Sequence, residues 1–324
     1  MEALVTSSSC PECRGDGYRV EAEVQSGPGD GEGRRARAVA RVCTCREPCP
    51  HCEGRGFVYT SRQAEFSRRV GPRSYQALTP CMCRLLAQRV SSFASVGIPA
   101  HHATSSFQTF RAKGDDQEKT AALERALGVA RSVAQEWRRD RPARGFVIAG
   151  RVGSGKTHLL SATLRHLVLE RGASAQYREI SLLFADIRRG FNAGKSGGEI
   201  IARLVDADVL AVDELGRGRG SPFELETLDE LFARRYNSGL TTIIATNFSL
   251  DRERPASTGA PRHRDPAHAL QQDERDDLLV SKIGDRIYSR LCEMCDFVSL
   301  PGKSDDYRRT KQDGRPARLV RPAS

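Results

Sequence analysis

The apolar positions of this chain keep two different rhythms. Up to about residue 80 they alternate with polar ones over Tyr18–Val24, Ala36–Val42, Phe57–Phe66 and Tyr75–Thr79. A period of two is that of a half-buried strand. SGPGDGEGR separates the first two stretches and Val70–Arg73 the second two, so two β-hairpins are expected. Beyond residue 117 the rhythm changes. AALERALGVARSVAQEW, within Glu118–Arg139, has helical spacing and must end before Pro142. Short apolar runs then follow at Phe146–Ala149, Ala175–Glu179, Val209–Leu215, Thr241–Thr246 and Asp296–Leu300. Between them lie helical stretches starting near Gly155, at Ile180, at Phe223 and at Ser281. The run Val209–Val212 is apolar throughout, as in a parallel strand covered on both faces. The expectation is an α/β core, a parallel sheet flanked by helices, preceded by a small β-hairpin domain.

Segment 91–116 carries Gly97, Pro99 and a run of small polar residues, and reads as a joint. Its Ser106-Phe-Gln-Thr-Phe110 piece has two aromatics expected to pack on the following domain, while His101 and His102 read as solvated. Segment 251–277 is rich in Pro, Arg and Asp without periodicity and reads as a mobile insertion; from Arg308 the chain reads as a basic tail. The division expected is 1–90, 91–116 and 117–324.

Chemistry enters at residues 145–157, GFVIAGRVGSGKT, which place G-x-x-x-x-G-K-[ST] between a strand and a helix. Glycines let backbone N–H groups turn toward a polyphosphate, Lys156 can neutralise it, and the Thr157 hydroxyl can ligate Mg²⁺. The following helix points its positive end at the same place. The nucleotide-binding set is therefore Gly150, Gly153, Ser154, Gly155, Lys156, Thr157 and His158. The Val209 run ends in Asp213 and Glu214, at the strand edge where ligands sit in such sheets. Asp213 is placed to hold Mg²⁺, and Glu214 to polarise the attacking water. Asn247, at the end of the next core strand, can orient that water.

Eight of the ten cysteines lie in two copies of one pattern. Cys10-Pro-Glu-Cys13 closes with Cys43-Thr-Cys45, and Cys49-Pro-His-Cys52 closes with Cys81-Met-Cys83. A hairpin in each copy returns the second pair beside the first, giving four thiolates for tetrahedral Zn²⁺, twice. The crossed pairing, Cys10 and Cys13 with Cys81 and Cys83, and Cys43 and Cys45 with Cys49 and Cys52, stays open at this point. All-cysteine sites leave no open position, so the zinc reads as structural. His51 reads as a surface residue, and Cys292 and Cys295 as core packing. The C-x-x-C-x-G-x-G element resembles the zinc repeats of DnaJ-type chaperones, although the closing half here is C-x-C and no His-Pro-Asp occurs.

The net charge of +10 suggests an anionic partner. MEALVTSSSC lacks a basic-then-apolar signal, and no run of 18 apolar residues occurs. With thiols beside a phosphate loop, a reducing cytoplasmic setting and no membrane partner are expected.

Residues 97–309 resemble DnaC/DnaI-type helicase loaders and the related IstB-type transposition ATPases, which are AAA+ proteins. The resemblance rests on the S-F-x-T-F lead-in, the phosphate loop, VDELG, RRYNSGLTTIIATN and GDRIYSRLCE followed by SDDYR. It implies an AAA+ P-loop NTPase core in which Lys156, Thr157, Asp213, Glu214 and Asn247 hold and hydrolyse ATP. It also implies an arginine acting on the neighbouring subunit's ATP, Arg290 ahead of Arg286, with Arg308 contacting nucleotide in cis. Self-association through ATP sites follows, as do a replicative helicase and single-stranded DNA as partners. The DNA-binding region maps onto Arg188, Arg189, Phe191 and Lys195. The competing readings are an IstB-like transposition helper and a zinc-based protein adaptor in which ATP is structural.

Overall fold

The computed structural model describes residues 10–25, 35–46, 48–64, 73–114, 116–192, 197–250 and 278–300. The turns expected at 26–34 and 70–72, the 251–277 insertion, Lys195, Arg308 and the basic tail lie outside the described residues. The chain divides into two compact units, Met1–Thr104 and Ser105–Ser324, a boundary that falls inside the 91–116 segment.

In the first unit β1 (Tyr18–Gln25) pairs antiparallel with β2 (Arg35–Val42), and β3 (Phe57–Ala64) with β4 (Arg73–Pro80). Helix α1 (Met82–Phe93) follows; it was not anticipated, although Leu85, Leu86, Val90 and Phe93 carry helical spacing. α1 packs on β2 and buries Val90 and Phe93. The chain beyond it is not a solvated run. Val96 and Ile98 are buried, and the Ile98 carbonyl accepts the Ala38 N–H at 2.9 Å, so this stretch closes the free edge of β2.

The second unit is a five-stranded parallel sheet in the order β6-β7-β8-β5-β9. Its strands are β5 (Gly145–Ala149), β6 (Ala175–Glu179), β7 (Val209–Asp213), β8 (Thr241–Thr246) and β9 (Cys295–Ser299). The β5, β7 and β8 side chains are buried on both faces, which is why their sequences do not alternate. The helices are α2 (Gln117–Glu136), α3 (Lys156–Leu169), α4 (Ile180–Asn192), α5 (Gly197–Asp206) and α6 (Pro222–Asn237). Two more, α7 (Leu279–Ile283) and α8 (Asp285–Met294), replace the single helix expected from Ser281. Gly284, at φ +80°, is the cause: it takes a left-handed φ that stops one helix and starts the next. α5 was also unanticipated, yet it buries Ile201, Leu204 and Val205 in a core with Phe184, Val212 and Phe232.

Arg235 of α6 is fully buried, with no carboxylate among its hydrogen-bond partners. Its guanidinium donates to the carbonyls of Leu204 (2.8 Å), Val205 (3.2 Å), Ala207 (2.8 Å) and Thr241 (2.6 Å), and to the Thr242 hydroxyl (3.0 Å). Burial pulls its pKa down to about 10, which still leaves it charged at neutral pH. A planar fork can span these acceptors and an ammonium cannot. Arg235→Leu should therefore lose about 3 kcal/mol or more in denaturant unfolding, because buried carbonyls lose their donors. Arg235→Lys should fail to restore stability; full rescue by lysine would refute this account.

Candidate functional site

The phosphate-loop residues and the acidic pair expected at the nucleotide site lie together at the C-terminal edge of the sheet. β5 ends at Ala149, and the chain turns through residues 150–155 into α3, whose first residue is Lys156. Gly155 is held at φ +93°, and a Cβ there would lie 2.8 Å from the Phe110 ring, so no side chain fits. Lys156 is buried, and its ammonium donates to the Gly150 (2.7 Å) and Arg151 (2.8 Å) carbonyls, folding it back over the loop.

Asp213, at the end of β7, is 4% exposed. Its Oδ2 accepts from the Thr157 hydroxyl (2.8 Å) and the Tyr177 hydroxyl (2.7 Å), and its Oδ1 from the Glu214 N–H (2.9 Å). Tyr177 was missed by sequence reasoning. Its position on β6, beside the acid-bearing strand, was the available signal. Burial, then the Asp213 charge, raises its hydroxyl pKa far above the ordinary value, so it remains a donor.

Glu214 has a left-handed backbone, φ +57°, unusual for a residue with a side chain. The Leu215 N–H donates to the Ala245 carbonyl (3.0 Å), and the Thr246 hydroxyl donates to the Leu215 carbonyl (2.7 Å), which locks this turn to β8. The Glu214 carboxylate accepts from Arg217 at 2.6 Å, and that pairing raises the Arg217 pKa. Asn247 follows β8 directly and is exposed at the same edge.

The remaining expected residues stand apart. His158 faces the lead-in: its Nε2–H donates to the Ser106 carbonyl (2.9 Å), and its ring meets Phe110 edge-on at 5.4 Å. Burial lowers its pKa, so at neutral pH it is uncharged. Phe107 similarly lies 6.1 Å from His166, so the S-F-x-T-F piece does pack on α3. Arg290 is ion-paired with Asp229 of α6 and is 23% exposed, whereas Arg286 lies 3.8 Å from the same carboxylate and is 80% exposed. Arg188 reaches the buried Glu224 at 3.3 Å, and Arg189 pairs with Asp186. Cys295 is buried and donates to the Thr242 carbonyl (3.3 Å), but Cys292 is exposed, against expectation. Only Cys295 belongs to the central sheet; Cys292 lies on α8.

In the first unit the cysteines gather in sequential order, Cys10, Cys13, Cys43 and Cys45, then Cys49, Cys52, Cys81 and Cys83. The crossed pairing is not formed. Sulfur separations of 3.8 and 3.5 Å in the first group, and 3.9 and 3.5 Å in the second, match the edge of about 3.8 Å of a Zn–S₄ tetrahedron with ~2.3 Å bonds. The knuckles repeat in backbone as well: Arg14 and Glu53 both take positive φ. The Gly56 N–H points at Cys52 Sγ (3.2 Å). Backbone N–H groups of Cys13 and Glu12 lower the Cys10 pKa to about 7; at Cys52 burial opposes, but the Gly56 N–H and neighbouring thiols bring it to about 7 as well. The donor set fits a soft, thiolate-loving divalent ion. His51 is exposed and outside both groups.

Among the described residues no helix is long and apolar enough to cross a membrane. Residues 98–255 match the family model described as IstB-like ATP binding protein. The chain is 28% identical over 161 residues to the replicative helicase loader DnaC of Escherichia coli K12, a match covering 49% of this chain and 62% of that protein. It is 30% identical over 104 residues to the DnaC loader of Buchnera aphidicola subsp. Baizongia pistaciae, covering 32% of this chain and 42% of that one. The matches thus span under two-thirds of these relatives' lengths. A crystal structure of the DnaC helicase loader has a TM-score of 0.48 at 22% identity, covering 62% of this chain and 99% of that chain. With its phosphate loop and acidic pair on one sheet edge, the chain is similar over residues 98–255 to IstB-like ATP-binding proteins and, in sequence, to the DnaC replicative helicase loaders.

Proposed function

We propose that this protein hydrolyses ATP and acts as a helicase loader, binding single-stranded DNA and a replicative helicase and self-associating through its ATP sites. The observation that supports this most is the convergence of Lys156, Thr157, Asp213 and Glu214 inside a domain similar in sequence to DnaC loaders. In this reading the loop N–H groups of Gly150–Gly155 and the Lys156 ammonium hold the phosphates. Thr157 and Asp213, two hard oxygen donors already in contact, would hold Mg²⁺. When bound, that ion neutralises charge on the β- and γ-phosphate oxygens. Glu214 accepts the proton of the attacking water, and Asn247 orients it. The Glu214–Arg217 pair is solvated, and such pairs exchange at little cost.

Of the two arginines proposed to reach a neighbour's ATP, Arg286 is the freer to do so, since Arg290 is held by Asp229. Arg188 and Arg189, both more than half exposed despite their ion pairs, suit contact with DNA phosphates. Two zinc ions would hold the first unit's hairpins, adding to its small apolar core. The family description favours one second reading, an IstB-like transposition helper. Stimulation of turnover by duplex rather than single-stranded DNA would select it.

The ATP site and the cysteine groups together give four expected outcomes. Purified protein should hydrolyse ATP faster with single-stranded DNA present, and Glu214→Gln should lower kcat by about 10²- to 10⁴-fold while still binding ATP. Mixing Glu214→Gln with Arg286→Ala subunits should restore part of the activity; no turnover in wild-type protein would remove the enzymatic reading altogether. Tyr177→Phe frees one side of Asp213, and should raise the Mg²⁺ concentration for half-maximal binding of a fluorescent ATP analogue by about ten-fold. An unchanged Mg²⁺ requirement would make the Tyr177 contact purely structural. Thiol-reactive displacement should release two zinc ions per chain, measured with a metal-sensitive dye, one from each cysteine group.

A further inference from the structure

The two zinc hairpins share one backbone plan but treat the same face differently. In the first, Tyr18 and Ala38 of that face are buried, and Ile98 and α1 lie against β2. In the second, the equivalent face carries Tyr59, 74% exposed, directly opposite Leu78, 57% exposed. Phe57 continues the row on β3, with the Arg84 guanidinium 4.3 Å above its ring. The rest of the face is uncharged and polar, including Ser61 opposite Gln76. Neither β3 nor β4 contains an acidic residue, and since the register puts Arg62 and Arg73 on the opposite face, the cation against this one is Arg84. The first hairpin, by contrast, spends Glu21 and Glu23 on Arg41.

An exposed ring beside a ring capped by Arg84, on a strand face that carries no carboxylate, fits a polyanion whose units have π-faces. We propose that the Phe57–Tyr59–Leu78 face of β3–β4, with Arg84, is a stacking platform for single-stranded nucleic acid. Bases stack on Tyr59, Leu78 gives the stacked base an apolar flank, and Arg84 meets the backbone phosphate. This site is separate from the Arg188 region of the loader reading and does not depend on ATP chemistry.

The test uses the full-length, zinc-loaded chain without nucleotide and a fluorescein-labelled oligo-dT strand, read by anisotropy. Tyr59→Ala should weaken binding on the order of ten-fold, and Tyr59→Phe should bind as wild type, because stacking needs the ring rather than the hydroxyl. Arg84→Ala should weaken binding and flatten the log–log salt dependence by about 0.7. Tyr59→Trp adds a reporter at a site far more exposed than the chain's single, buried tryptophan, Trp137, and its fluorescence should be quenched by oligo-dT. Wild-type affinity in Tyr59→Ala, or no quenching in Tyr59→Trp, overturns the proposal, even if the ATPase unit binds DNA. If Tyr59→Ala instead changes the sedimentation coefficient with oligo-dT binding intact, the face belongs to a second copy of the chain and the proposal fails.

Discussion

A buried carboxylate must be satisfied or it is not tolerated, and the nucleotide edge of this protein is built on one such group. Asp213 collects donors from three places: Thr157 on α3, Tyr177 on β6, and the N–H of Glu214 just past β7. These bonds fix the first turn of the phosphate-loop helix against two strands. They also set the backbone of Glu214 in its left-handed turn, which aims its carboxylate away from Asp213. Two adjacent acids thereby acquire different surroundings, one buried with fixed donors and one partly exposed beside the solvent-facing Arg217. Under the proposed function, that separation would let the two neighbours divide metal binding and proton acceptance between them.

The opposite edge of the sheet is held by the reverse arrangement. Arg235 is a buried cation satisfied by backbone carbonyls at the end of α5 and by the first residues of β8. It pins the entry to β7 and β8, while Asp213 pins the exit of β7. The hydrogen bonds described for each charge are made with neutral dipoles rather than with an opposite charge. With both ends fixed, β8 can carry Thr246 to the Leu215 carbonyl, and Asn247 follows at the same edge of the sheet. The loop beyond is anchored by buried Glu224, which accepts from the Arg219 (2.8 Å) and Gly220 (3.1 Å) N–H groups.

What the sequence made legible follows from how local each signal is. The phosphate loop is contiguous, so its residues and its strand and helix could be named from spacing alone. The three central strands, β5, β7 and β8, were legible because burial on both faces leaves runs such as Val209–Val212 without polar interruption. Gly284 was read through because a helical repeat continues on both sides of it; only its φ of +80° divides α7 from α8. Tyr177 and Arg235 could not be found locally. Each acts on atoms 30 or so residues away, Tyr177 on Asp213 and Arg235 on Leu204, and a tyrosine or arginine in an amphipathic stretch gives no sign of it. The same holds for Arg290, whose helix spacing is plain while its Asp229 partner lies on another element.

The cysteine repeat shows how one signal can be legible in its ligands and silent about its surface. Spacing told which cysteines could meet, and the hairpins bring them together in sequential order. A two-stranded hairpin cannot bury either face by itself. In the first copy the chain solves this with protein: α1 and Ile98 come back over β2, and Tyr18 goes under. In the second copy no described element covers the Tyr59–Leu78 face, although larger side chains stand there than the Val20 and Ala40 of the first. Tying down the cysteine end with four thiolates removes the need for apolar burial along the rest of the hairpin. The second hairpin is then free to place the Tyr59 ring in water.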